Sequence, residues 1–212
     1  SEGTKHFVTT QVEHKAVLEP TEFLEDQGYE ITRVAPNSDG FVEPDRILDA
    51  VRPDTVLVSV MHVNNETGVT QSIGTIADEL TDHPTYIHVD AAQSYGKLFD
   101  GLENSRIDLI SLSGHKIYGP KGIGALLMRP RNYQVPPLRP LMYGGGQEQG
   151  LRPGTLPVPL AVGLGTAAKL AMDNHETRTQ NCLDHQTNCL ALADKLGGQL
   201  NGAPGKLAPQ IM

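Results

Sequence analysis

The chain has 212 residues, enough for one domain with a real core, or one domain and a fragment. Hydrophobic residues make up 38% and charged residues 20%, which excludes wholesale disorder, and no run approaches the ~20 apolar residues of a membrane span. Seventeen Lys and Arg stand against 25 Asp and Glu, a net charge of −8, so the clustered basic surface that nucleic acid requires is absent.

Two cysteines cannot build a disulfide framework, and a reducing compartment follows. The cytoplasm is the default. An organelle matrix stays open, because Ser1-Glu2-Gly3-Thr4-Lys5 has neither an apolar signal core nor a starting Met. It reads as a processed or truncated end. Trp is absent and Gly numbers 22, a composition of tight turns and few aromatic platforms.

In chain order, His6 to Thr10 reads as a short strand. Ala16 to Gln27 reads as a helix stopped by Gly28, and Tyr29 to Val34 as a strand. Pro44 opens a helix carrying Ile47, Leu48 and Val51, since Pro suits the first helical position. Val56 to Met61 is an almost unbroken apolar run, as in a strand buried on both faces. Ile73, Ile76, Ala77 and Leu80 have amphipathic helical spacing. Tyr86 to Val89, Ile107 to Leu112 and Gly124 to Met128 are further strands. Strands alternating with helices predict an α/β fold: a mostly parallel sheet flanked by helices.

Arg129 to Pro159, rich in Pro and Gly, reads as a long ordered excursion over the surface. Its Gly144-Gly145-Gly146 lacks the Gly-Lys-Ser/Thr ending of a phosphate-binding loop of NTPases. A helical region is expected from Leu160 to about Leu196. Asn201 to Met212 has no period and reads as a connection leading onward.

Open α/β sheets place function beyond the carboxyl ends of their strands. Three polar clusters sit at such ends: His62 to Glu66, Asp90 to Gln93, and Ser113 to Lys116. If the strands are neighbours, Asn65, Asp90, Gln93, Ser113, His115 and Lys116 share one crevice. An Asp, a reactive Lys and small polar donors are what pyridoxal phosphate requires. The Lys forms an imine with the aldehyde, the Asp pairs with the protonated ring nitrogen, and hydroxyl and N–H groups hold the phosphate. Each fragment also has a plainer reading: Asp90 as a helix cap, and Asn64-Asn65 and Ser113 to Lys116 as turns. The glycines from Gly119 to Gly124 let the backbone pass close to a cofactor or simply close a hairpin.

The clusters, in this order, resemble the cysteine desulfurases of the class V aminotransferase family. The matching segments are Val12-Glu13-His14-Lys15-Ala16-Val17-Leu18, Met61 to Gly68, His88 to Ser94, Ser113 to Leu126, Gly144 to Glu148 and Arg152-Pro153-Gly154-Thr155. They run from about Phe7 to Ala171. Selenocysteine lyases share much of this pattern. The resemblance implies Lys116 as the imine lysine, Asp90 on the pyridine nitrogen and Gln93 on the ring hydroxyl. It implies that His14 stacks on the ring and moves protons, and that Ser113 and His115 hold the phosphate. Thr155 would reach the phosphate of a neighbouring subunit, which implies a homodimer. Asn65 would contact the substrate carboxylate or the cofactor edge. Substrate L-cysteine would displace Lys116, which then removes the Cα proton. An enzyme cysteine would take the sulfur as a persulfide and alanine would leave. The sulfur would pass to an acceptor or an iron–sulfur scaffold protein.

The resemblance also implies a segment before Ser1 with a Gly-Thr phosphate-binding turn. It further implies a smaller domain after Met212 with the sulfur-accepting cysteine and a substrate-gripping arginine. On this reading, residues 1–200 are the cofactor-binding large domain, incomplete at its N-terminus, and 201–212 connect towards the small domain. Cys182 and Cys189, seven residues apart on one helical face, read as small buried apolar side chains. With His185 and His175 they form a stripe that could hold a metal only with a ligand from elsewhere, so no metal site is assigned. The rivals are a dimerising scaffold without sulfur transfer, and a selenocysteine lyase-like enzyme.

Overall fold

A computed structural model describes residues 5–131, 133–203 and 205–211. Ser1 to Thr4 and Met212, on which the readings of the two chain ends partly rest, lie outside the described residues.

The strands are β1 (His6–Thr10), β2 (Glu30–Val34), β3 (Thr55–Met61), β4 (Tyr86–Asp90), β5 (Leu109–Ser113) and β6 (Gly124–Met128). The helices are α1 (Lys15–Asp26), α2 (Pro44–Ala50), α3 (Ile73–Glu79), α4 (Val158–Asp173) and α5 (His175–Lys195). Among the described residues they form one sheet in the order β2-β1-β3-β4-β5-β6. All pairs are parallel except β5 with β6. The strand with the longest apolar run, β3, lies inside the sheet between β1 and β4, as that run predicts.

Parallel connections are right-handed, so the direction of each step fixes the face of its helix. The β1–β2 step runs towards one edge and the β3–β4 step towards the other. This sets α1 and α3 on opposite faces. The β2–β3 connection runs the same way as the β3–β4 connection, and α2 indeed packs against α3. Ile47 of α2 and Ile73 and Ile76 of α3 join Val8, Val58, Val60, Ile87, Val89 and Ile110 in the main core. Strand alternation then turns Ser59, His88, Asp90, Ser111 and Ser113 to the other face. One face of the central strands is thus apolar, and the other carries these polar side chains among Leu57, Met61 and Leu109.

Two expectations are corrected. The expected helical region is present as two helices, α4 and α5. At Asn174 (φ −112°, ψ 13°) the backbone leaves helical geometry, and both its N–H and its Nδ2 bond the Leu170 carbonyl, which ends α4. Pro159 sits inside the first turn of α4, where its missing N–H costs nothing. The cysteines do not form a buried stripe: Cys182 is half-buried and Cys189 exposed. The reason is that α5 is polar, and its buried residue is Gln186.

The excursion from Arg129 is anchored at its start. The Arg129 guanidinium donates to the carbonyls of Leu102 and Asn104, and that of Arg131 to Pro84. The tail also packs down. Leu207 pairs with Val69, Ala208 N–H donates to Gly68 O, and Gln186 Nε2 donates to Ala208 O and Ile211 O.

One buried ion pair locks the entry to β5. Asp108 Oδ2 accepts from Arg106 at 2.7 Å and from the Ile87 N–H at 2.8 Å. Arg106 spends its other N–H groups on the carbonyls of Leu80, His83 and Thr85. Asp108→Ala strands the guanidinium in the interior and should lower the unfolding free energy by about 3–5 kcal/mol. Denaturant melts measure this; a loss below about 1 kcal/mol would show the pair to be dispensable.

Candidate functional site

The chain leaves β1 for one edge of the sheet and β3 for the other. Such a divergence opens a crevice beyond the carboxyl ends of the strands. Here those ends are close in register. Met61 pairs with Asp90, and Asp90 with Ser111, two residues before Ser113. Asp90, Ser113, the 62–66 loop and the turn carrying His14 therefore meet at one end of the sheet.

Asp90 ends β4. Its Oδ1 accepts from the Ala92 N–H at 2.8 Å, which fixes the carboxylate and leaves Oδ2 for another partner. On the same face, two residues earlier, His88 is clamped between Ser59 Oγ at 2.8 Å and Ser111 Oγ at 2.7 Å. Burial pulls the His88 imidazole below its ordinary range, against the opposing pull of Asp90. The floor beneath Asp90 is thus a polar, interlocked row crossing three strands.

Lys116 is half-buried on a 3-10 turn, Gly114–Ile117, that leaves β5 directly. Ser113 caps this turn without using its hydroxyl there. The turn is tight because Gly114 N–H bonds Ile123 O and Gly119 N–H bonds Gly114 O. A Cβ on Gly114 would stand 2.9 Å from the Ile123 carbonyl, so only Gly fits. The segment from Gly119 to Gly124 closes the hairpin, with Ser113 paired to Gly124 across β5 and β6. Lys97 lies close behind. Burial first, then the charge of Lys116, lowers its pKa.

His14 is the N-cap of α1, with its Nδ1 accepting from Ala16 N–H at 3.1 Å. In the neutral ring this leaves the proton on Nε2 and fixes the ring's orientation. Its neighbour Glu13 is buried. Glu13 Oε1 accepts from Met61 N–H at 2.7 Å and from Thr10 Oγ1 at 2.9 Å. Burial, reinforced by the charge of Asp90, raises its pKa to about 8 against the pull of the two hydrogen bonds.

In the 62–66 loop, Asn64 is committed to structure. Its Oδ1 accepts from Glu66 and Thr67, and its Nδ2 donates to Val12 O. The adjacent Asn65 is half-buried beside it. Gln93 is half-buried in the turn after β4, where its carbonyl accepts from Gln210 Nε2. His115 is exposed on the Lys116 turn. Thr155 stands apart, exposed on the segment ahead of α4. Glu13 and His88 lie outside the residues singled out from the sequence. Alternation could have found His88, two residues before Asp90 on the same face.

The donor set has the chemistry that pyridoxal phosphate requires: a fixed carboxylate with one free oxygen, a primary amine, an uncommitted hydroxyl and an oriented imidazole.

Residues 2–201 match the aminotransferase class-V family. The chain is 51% identical over 173 residues to the mitochondrial cysteine desulfurase of Eremothecium gossypii, covering 81% of this chain and 34% of that protein. The fold matches the crystal structure of DndA from Streptomyces lividans with a TM-score of 0.94 and 47% identity, over 98% of this chain and 58% of that one. It matches SspA in complex with cysteine with a TM-score of 0.72 and 46% identity, over 78% of this chain and 47% of that one. The chain spans about a third of the length of the curated relative and about half of each solved one.

His62, whose N–H donates to the Asp90 carbonyl, gives the site a measurable pH signature. Its ring is buried, Nδ1 has no partner among the described residues, and burial lowers its pKa from 6.5 to about 4. Below pH 6.5 the unfolded chain takes up a proton that the folded ring refuses until about pH 4. The stability this residue contributes is therefore present above 6.5 and lost as pH falls towards 4, by about 1.4 kcal/mol per pH unit. His62→Gln removes that component. The stability difference between parent and variant, from denaturant melts, should shift by about 2 kcal/mol between pH 7 and pH 5. A difference independent of pH would contradict it.

Proposed function

This chain belongs to the aminotransferase class-V family, and from that premise we propose that it is the cofactor-binding large domain of a pyridoxal phosphate-dependent cysteine desulfurase. The observation that carries the reading is that Asp90 ends β4 and Lys116 lies on the turn leaving the adjacent parallel strand β5, with Asp90 fixed by the Ala92 N–H. Residues 1–200 would form that domain, with 201–212 leading out of it.

Pyridoxal phosphate, when bound, would supply an electron sink for charge at the substrate Cα. The chain's own residues do the rest. Asp90 Oδ2 would face the ring nitrogen as its counter-charge. Gln93 would hold the ring hydroxyl, and Ser113 and His115 would hold the phosphate. His14, its ring oriented by the Ala16 N–H, would lie against the ring and present Nε2 for proton movement. Lys116 would hold the aldehyde, and its Nζ would serve as the base for the Cα proton. Asn65 would contact the substrate carboxylate or the cofactor edge. Thr155, exposed, would reach towards the phosphate site of a second subunit in a homodimer.

The substrate would be L-cysteine, the products alanine and a persulfide sulfur bound for an acceptor or an iron–sulfur scaffold protein. The relative solved with cysteine supports that substrate. The persulfide thiol is assigned to neither Cys182 nor Cys189. No helix among the described residues is long and apolar enough to cross a membrane. The proposed setting is the cytoplasm or an organelle matrix.

Mixing the chain with pyridoxal phosphate should give the visible absorbance of the lysine-bound cofactor, and Lys116→Ala should abolish it. A folded chain that never takes up the cofactor would defeat the proposal. Alanine release from cysteine, with persulfide trapped on the small domain proposed to follow, is measured on the whole protein and separates a desulfurase from a binding scaffold. Asp90→Asn should lower alanine release by about 10²-fold or more, because the ring nitrogen loses its counter-charge.

A further inference from the structure

Glu13 has no task in the chemistry just described, yet it is 6% exposed and sits where the turn carrying His14 meets the end of β3. Only one of its oxygens is used. Oε1 takes both hydrogen bonds, from Met61 N–H and Thr10 Oγ1. Oε2 is buried without any partner among the described residues.

A bare, buried oxygen on an ionised carboxylate is strongly unfavourable, whereas a neutral acid can tolerate that environment. The charge of another carboxylate, Asp90, adds to the effect of burial on Glu13. Both carboxyls accept from a backbone N–H, but Asp90 is half-buried and has no buried oxygen left without a partner among the described residues. Glu13 is the fully enclosed member.

We propose that Glu13 is held as a neutral carboxylic acid and acts as a positioning residue for the cofactor crevice. It clamps the His14 turn to β3 and leaves the negative charge of the pair on Asp90. The role rests on the function proposed above and assigns the crevice its division of charge.

The test uses infrared spectroscopy of the full chain without cofactor, near neutral pH. The parent should show the carbonyl stretch of a protonated carboxylic acid. That band should shift when glutamate carboxyls are labelled with ¹³C, which assigns it to Glu without any variant. Glu13→Gln should remove it. Equilibrium dialysis then gives cofactor affinity. Glu13→Gln, neutral and still able to accept from Met61 N–H, should bind within about threefold of the parent. Glu13→Ala, which strands that N–H, should bind about tenfold more weakly or worse. The absence of a glutamate-sensitive band, or a Gln variant as weak as the Ala variant, overturns the role. The two failures are distinguishable. A parent that takes up no cofactor sinks the proposed function and the positioning role together. A parent that binds cofactor without the band overturns the role of Glu13 alone.

Discussion

The structure depends on strand register. Met61, Asp90 and Ser111 lie side by side on β3, β4 and β5. Because parallel strands all run the same way, their carboxyl ends deliver their following loops to one place. Alternation then divides labour between faces. Valines and isoleucines of these strands pack under α2 and α3, while Ser59, His88, Asp90, Ser111 and Ser113 stand on the reverse. A one-residue slip of β4 would bury Asp90 in the core and expose Val89 in the crevice. The site is therefore secured by the same hydrophobic pattern that secures the fold.

Charge in the crevice is arranged by exposure. Asp90, half-buried, has one oxygen held by a backbone N–H. Glu13, enclosed, is driven towards neutrality. Burial lowers the pKa of His88, clamped between two hydroxyls, and that of Lys97, where the charge of Lys116 adds to the effect. None of these groups needs a distant network. Each is tuned by a neighbour one strand or one turn away.

Much of this was legible in the sequence because the signals are local. The apolar run of β3, Pro44 at the head of α2 and the spacing of Ile73 and Ile76 each specify an element within a few residues. The motif residues Asn65, Asp90, Gln93, Ser113 and Lys116 lie at or just beyond the carboxyl ends of β3, β4 and β5, which are neighbours in the sheet. What escaped was non-local or competitive. The bond from Met61 N–H to Glu13 spans 48 residues, so no window reveals that Glu13 is enclosed. The break at Asn174 arises because its side chain competes with the backbone for the Leu170 carbonyl. The cysteine stripe misled because helical spacing tells which residues share a face, and not whether anything covers that face.

The tail carries a consequence for synthesis. Gln210 Nε2 holds the carbonyl of Gln93, a contact spanning 117 residues, and Leu207 pairs beside the loop that carries Asn65. A nascent chain that has already made β1 to β5 thus has its sheet before it has both walls of its crevice. Contacts this distant form late, after local helices and strand pairs. On the ribosome, the pocket around Asp90 stays unfinished until the last turns of α5 and the residues after it have emerged.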